Sequence, residues 1–212
     1  MNYQTVKSKS EEVIRTLGGN VCDWLPVIDN TDPRESSAVA DRALVLNAMV
    51  QIAFGAPVHI IGAWIKANHL EEALSRKDRL ILGTKDGAIT EQQRTDLYWY
   101  IEALWALVWS GRLITELRID HPVGDNLASL MPNLRVNEDG IEFRRRFVLR
   151  PFEEIHEMLD LYFRAHWYAR DGHLNGYPTG VFGLDSIMER RRALEWICDR
   201  TIDDWDETPE DT

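Results

Sequence analysis

Basic residues and cysteines are both scarce in this sequence of 212 residues. Lys and Arg number 24 against 35 Asp and Glu, so the formal net charge is −11. Binding to nucleic acid without sequence preference needs a basic surface, so we expect no nucleic-acid partner. The two cysteines, Cys22 and Cys198, lie far apart and in no metal-ligand spacing. Two isolated cysteines are typical of a reducing compartment, so we expect a cytoplasmic protein, although one long-range disulfide stays an alternative. We also expect no cofactor.

The sequence contains no segment that we interpret as a targeting signal or a membrane span. Its first twelve residues are polar and lack the apolar core of a signal peptide. Residues 43–65 carry no formal charge and have about the length of a span. Gly55 and Pro57 interrupt this stretch, a pattern typical of two buried helices joined by a turn. We therefore expect no contact with a membrane.

Helix signals dominate the chain, and few strand signals compete with them. Apolar residues make up 44% and charged residues 28%, a globular composition. Capping residues or an N-terminal proline predict helix starts, and these lie at Ser10, Asp32 with Pro33, Ser75, Thr90, Pro151, and Asp185 or Ser186. No repeat or long linker divides the chain. The prediction is a mainly α fold, a single compact multi-helix domain over residues 1–212.

Two segments are less regular than the rest. Residues 134–148 fit either a short β-hairpin that turns at Asp139-Gly140 or a helix that carries Arg144 to Arg146. Residues 171–183 are rich in glycine and predict a loop.

The last segment, residues 199–212, is an acidic tail with seven carboxylates and one arginine. Such tails are usually solvated, but Trp205 would then expose a large apolar side chain. We predict that the tail docks on the domain through Trp205.

Several short segments in fixed order resemble the bacterial family called domain of unknown function 4272. They are Leu25-Pro26, the helix led by Arg42, Trp99 with Glu102-Ala103-Leu104, Gly111, Leu149-Arg150, Glu154-Ile155, Asp160-Leu161-Tyr162, Arg164, His166-Trp167, Arg170-Asp171, Gly183-Leu184, Glu189-Arg190, Ala193-Leu194, Trp196, Trp205-Asp206 and Asp211-Thr212. The resemblance implies a helical bacterial cytosolic domain and brings no assigned chemistry. Two positions depart from the family pattern: Tyr100 stands where the family tends to have Arg, and Arg191 where it tends to have His. These departures weaken a catalytic interpretation.

Glu102 is the most informative acid. On a helix it lies in line with Tyr98, Trp105 and Trp109, so its carboxylate points along an aromatic stripe. A carboxylate buried there needs a partner, and we expect Arg164, Arg170 or Arg190 to supply it. The alternative is a general acid or base.

The helix that begins at Pro151 and ends near Arg170 carries a polar row. His156, Asp160 and Arg164 follow at four-residue steps on one face. His156-Glu157 with Asp160 differs by one residue from the zinc motif H-E-x-x-H, but only one His and one Asp share the face, so we expect no metal ion.

Two functions remain open from the residues. The first is a non-enzymatic acidic domain that binds a protein with a basic surface, as an immunity-type protein neutralises a bacterial toxin. The second is a hydrolase or transferase that uses Glu102 with polar residues of the Pro151–Arg170 helix, such as His156 or His166. No specific catalytic motif is found, so we favour binding, with no catalytic residue assigned. The candidate binding residues are Trp99, Glu102, Asp160, Arg164, His166, Trp167, Arg170, Glu189 and Arg190.

Overall fold

A computed structural model of the protein describes residues 1–29 and 31–210. Helices account for 61% of the described residues, and the mainly α fold in one compact domain is confirmed. The α-helices of the described residues are α1 (Tyr3–Thr16), α2 (Ser36–Ala53), α3 (Val58–Ala67), α4 (Arg76–Leu82), α5 (Glu91–Ser110), α6 (Leu127–Leu130), α7 (Ile141–Arg146), α8 (Phe152–Asn175) and α9 (Leu184–Cys198). Short 3-10 helices lie at Glu71–Ala73, Leu134–Val136 and Trp205–Glu207.

Helix α5 forms the centre of the packing. It contacts α2 on one side and α9 on the other, while α8 packs on α9 and α1 packs on α8. Residues 103–110 of α5 are buried on every side of the helix. A helix that is apolar all round belongs in a core rather than at a surface, so the second half of α5 is fixed there by its own sequence. Its first half reaches the surface and carries the site described below.

Local capping signals position several helices as predicted. Thr90 and Gln93 form a capping box at the start of α5, and Ser75 and Asp78 form another at the start of α4. The apolar stretch of residues 43–65 divides into α2 and α3 at Gly55, whose φ is +92°. None of the helices in the described residues combines the length and apolarity that crossing a bilayer requires.

The prediction that Asp32 caps a helix is wrong. Helix α2 begins at Ser36, while Asp32 forms a parallel β-bridge with Asp199. The Asp32 amide donates to Cys198 O (2.8 Å), and the Arg34 amide donates to Ile197 O (2.9 Å). Because these long-range bonds hold the backbone extended, the local capping preference is overridden.

Three other predicted helix ends are shifted. Helix α1 begins at Tyr3 because the Asn2 side chain accepts from the Thr5 amide, and Ser10 lies buried inside it. Helix α8 continues past Arg170 to Asn175, where Gly176 in the left-handed region ends it, so the first part of the predicted loop 171–183 is helical. Helix α9 begins at Leu184, one residue before the predicted cap.

The hairpin alternative for residues 134–148 is wrong, and the helical alternative holds for Ile141–Arg146. The backbone of this segment is paired with side chains of the α3 region rather than with a strand. The Asn68 side chain accepts from the Gly140 amide (2.8 Å), and Trp64 Nε1 donates to Glu138 O (2.9 Å).

The described part of the acidic tail lies against the domain. Trp205 is 3% exposed and packs edge-on against Trp196, with 5.5 Å between ring centroids. The Arg42 guanidinium lies over its ring at 4.5 Å. Asp211 and Thr212, which belong to the predicted tail and to the family resemblance, lie outside the described residues.

Candidate functional site

The first half of α5 borders an open cleft of about 530 Å³ with exposed aromatic walls, which we call the aromatic cleft. Phe54 is 62% and Tyr98 is 47% exposed, and their rings meet edge to face at 6.1 Å. Trp99 continues the row at 6.1 Å from Tyr98. The opposite wall is formed by the loop and short helix at Pro122, Val123, Gly124, Asp125, Leu127 and Ala128.

Local sequence explains why these aromatics are exposed. Phe54 follows the last residue of α2, so it projects beyond the buried part of that helix. Tyr98 lies on α5 between Leu97 and Tyr100, which are buried and face the core. Gly124 lets the opposite wall approach closely, because a Cβ there would lie 2.8 Å from Trp105 Cη2.

Glu102 lies in the cleft wall and is held on both carboxylate oxygens. Arg190 Nε donates to Oε2 (2.7 Å), and the Ser186 hydroxyl donates to Oε1 (3.0 Å). The same guanidinium donates to Arg118 O (2.7 Å) and His121 O (3.0 Å). Of the three arginines expected from the sequence, Arg190 is therefore the partner of Glu102.

A second cavity of about 320 Å³, which we call the acidic pocket, lies beside the cleft and shares Trp99 with it. It is lined by Lys77, Gln92, Thr95, Asp96, Trp99, Tyr100, Asp185, Met188, Glu189, Arg192, Asp206 and Glu210. Glu189 is 5% exposed, and its Oε1 accepts from Arg192 (2.8 Å). Burial raises the pKa of the Glu189 carboxyl above its ordinary value.

The polar row of α8 binds the segment that precedes α2. Arg164 donates to both oxygens of Asp160 (2.9 and 2.7 Å) and to Pro26 O (2.9 Å). His156 Nε2 lies 2.7 Å from Ile28 O, and its ring packs against Tyr3 at 5.0 Å. These residues bind the segment before α2 to α8.

His166 and Arg170 line a third cavity of about 400 Å³. The Arg191 guanidinium donates to His166 Nδ1 (2.8 Å). Burial, together with the charges of Arg191 and Arg170, lowers the pKa of His166 to about 4, so the imidazole is neutral at pH 7. Trp167 lies elsewhere, edge-on to the exposed Trp24 at 6.4 Å.

The structure thus brings together only some of the candidate residues. Trp99, Glu102 and Arg190 meet at the aromatic cleft, and Glu189 lies across Trp99 in the acidic pocket. Glu102 lines the aromatic cleft, which neither His156 nor His166 lines, and His166 lines the third cavity instead. Within residues 1–29 and 31–210, no group of three or more His, Cys, Asp or Glu side chains is arranged to hold a metal ion, and both cysteines are free.

Sequence reasoning did not identify Phe54, Asp96 or Ser186 as site residues. No local signal marks Ser186, because its role depends on the contact between α5 and α9.

The two departures from the family pattern lie in buried networks. The Tyr100 hydroxyl donates to Asp78 (3.3 Å), which also pairs with Arg42, and burial raises the pKa of Tyr100. Arg191 lies beside His166, as described above. Neither departure alters the aromatic cleft itself.

Comparison with known proteins gives one match. A family model described as Domain of unknown function (DUF4272) matches residues 6–208. No curated protein and no solved structure matches the chain.

Proposed function

Because this chain belongs to the family described as Domain of unknown function (DUF4272), a description without chemistry, we propose a function from its geometry. The protein is a non-enzymatic binding domain whose partner is another protein with a basic surface. The observation that carries this proposal is the aromatic cleft, which is open to solvent and shares the wall residue Trp99 with the acidic pocket.

The aromatic cleft has the composition of a protein-binding surface. Tyr and Trp dominate the binding energy of interfaces because they bury a large area while ordering few torsions. Phe54, Tyr98 and Trp99 form a row of such side chains. Contiguous apolar patches on the surface of a soluble protein mark interaction sites when they are large. The cleft therefore suits an apolar side chain of the partner.

The negative charge around the cleft determines that the partner should carry positive charge. Asp125 lines the cleft, and Asp96 and Asp185 line the adjoining pocket. The whole chain carries −11, so its field attracts a basic surface over longer distances.

The hydrolase or transferase alternative has less support from the site. Both oxygens of Glu102 accept hydrogen bonds from the protein itself, from Arg190 and Ser186, as in a structural ion pair. His156 and His166 lie outside the cleft. Glu102 therefore acts as a structural anchor.

An immunity-type role is the specific form of this proposal. A cytoplasmic bacterial domain that neutralises a basic toxin would present an acidic surface with aromatic anchors, and both are present here. The partner expected is then a basic secreted nuclease or pore-forming protein.

Affinity capture from the native host tests the proposal. We expect the wild type to retain a basic protein, and Tyr98→Ala to reduce its recovery by about tenfold, the cost of removing one aromatic anchor. Trp24→Ala is the matched control, because it removes an aromatic residue that is 73% exposed and lines none of the described cavities. Equal recovery with Tyr98→Ala and wild type, or capture only of acidic proteins, would refute the proposal.

A further inference from the structure

One carboxylate oxygen in the acidic pocket lacks a hydrogen-bond donor. Glu189 is 5% exposed, and its Oε2 has no partner among the described residues. Its other oxygen has one donor, Arg192. A buried carboxylate normally binds a donor on each oxygen, because an unsatisfied charged atom is costly to desolvate. Glu189 lines the pocket, but this oxygen is itself buried, so a donor in the pocket reaches it when the Glu189 side chain turns toward the cavity.

The surroundings of Glu189 favour a positive group as that donor. Five carboxyl side chains line the pocket against two basic ones, Lys77 and Arg192. Arg192 is already shared between Glu189 and Glu210. Asp96 and Asp185 add negative charge near Glu189, while Lys77 reaches no hydrogen-bond distance of its Oε2.

The walls of the pocket suit an alkyl chain that ends in a cation. Trp99 and Met188 supply apolar surface beside the acids, and an indole face attracts a cationic group. The volume of about 320 Å³ lies at the lower end for ligand pockets, so it suits one long side chain better than a large molecule.

We propose that the acidic pocket binds the guanidinium or ammonium group of an arginine or lysine side chain, which donates to Glu189 Oε2. This inference rests on the proposed function, because the side chain belongs to the same basic partner whose apolar residue enters the aromatic cleft. Trp99 is the wall that the two side chains share.

A titration with small probes tests the pocket without the partner. N-acetyl-arginine amide is added to the full chain, and chemical shifts of the Trp99 indole and the Glu189 amide are followed by NMR. N-acetyl-citrulline amide is the neutral control of nearly identical shape. We expect saturable shifts with the arginine probe and none with the citrulline probe at the same concentrations.

Variants locate the binding. Glu189→Gln keeps the shape but removes the charge, and we expect the arginine probe to bind about tenfold more weakly. Glu91→Gln makes the same charge change on α5 outside the pocket and should leave binding unchanged. If a thermal melt shows Glu189→Gln unfolded, the exposed Asp185→Asn takes its place, with binding weakened about two- to fivefold.

The outcomes separate the two proposals. Equal binding of the citrulline probe, or unchanged binding to the variants, would overturn the pocket proposal and leave the aromatic cleft untouched. Tighter binding of butane-1,4-diamine than of the arginine probe would overturn a protein side chain as the source and indicate a free amine. Specific binding of the arginine probe, with partner capture insensitive to Tyr98→Ala, would refute only the proposed function.

Discussion

Three buried arginines follow one arrangement. Each is 1–2% exposed, pairs with a buried carboxylate and also donates to a backbone carbonyl of a segment distant in sequence. The groups are Arg42 with Asp78 and Ala73 O, Arg164 with Asp160 and Pro26 O, and Arg190 with Glu102 and Arg118 O. The guanidinium fork makes this double role possible, because its five donors lie in fixed directions. Each arginine thereby fixes a distant segment of the chain against its own helix.

Loss of the Glu102 charge should destabilise the protein. Glu102→Gln leaves Arg190 buried without its counter-charge, and breaking such a pair costs about 3–5 kcal/mol. Urea denaturation measures the change in the free energy of unfolding. The control is Glu154→Gln, whose half-exposed carboxylate pairs with Arg150, with a loss below about 1 kcal/mol. A neutral or stabilised Glu102→Gln would reopen the hydrolase or transferase alternative.

His166 should make the stability of the protein depend on pH. The unfolded chain takes up the imidazole proton near pH 6.5 and the folded chain near pH 4, so protonation in this window favours unfolding. The stabilisation is complete above about pH 6.5 and is lost as the pH falls toward 4.

Between pH 7 and pH 5, protonation of His166 in the unfolded chain lowers the free energy of unfolding by about 2 kcal/mol. His166→Gln should remove that part of the pH dependence, as measured by unfolding at both values, whereas His173→Gln should not, because His173 is exposed on the same helix. Identical pH profiles for wild type and His166→Gln would contradict the assignment.

At the scale of elements, the segment after α9 completes the packing of helices that precede it. Asp204 accepts from the Arg76 amide (3.0 Å) and Asp206 from the Lys77 amide (2.7 Å), so acids of this segment bind the first turn of α4. Negative charge at a helix N-terminus is stabilising. Two carboxylates of this segment therefore cap the start of α4.

Trp205→Ala should therefore weaken the whole fold. Removing a buried tryptophan from its contacts with Trp196 and Arg42 costs about 3–5 kcal/mol. Trp24→Ala, at 73% exposure, should cost less than about 1 kcal/mol. Thermal unfolding of both variants measures the difference, and equal melting temperatures would show that Trp205 contributes little.

Sequence reasoning identifies helices where the start signal is local. The capping boxes at Thr90 and Ser75 need only residues three positions apart, and both form. The start of α2 at Ser36 was missed because Asp32 pairs with Asp199, a contact that no local pattern contains. The candidate site shows the same difference between local and long-range signals. The aromatic neighbours of Glu102 already indicate that its carboxylate needs a buried partner. Ser186, in contrast, becomes a site residue only because α9 packs against α5.

At the scale of the molecule, the excess of acid over base should affect association kinetics. We expect the association rate constant with the captured partner to fall by about tenfold between 0.05 and 0.5 M salt, because screening removes long-range attraction. Asp96→Asn should lower the rate at low salt more than Glu12→Gln, an equal charge change on α1. Stopped-flow fluorescence measures these rates, and a salt-independent rate would argue against a basic partner.

The contact between Trp205 and Arg42 also has a consequence for biosynthesis. A ribosome releases α2 long before it adds Trp205, so the Arg42 guanidinium lacks its aromatic cover while most of the chain is being made. The β-bridge between Asp32 and Asp199 likewise forms only after the ribosome has added the later of its two residues, Asp199. The nascent chain therefore cannot complete its core helix by helix, and closure of the core follows the synthesis of the segment that carries Trp205.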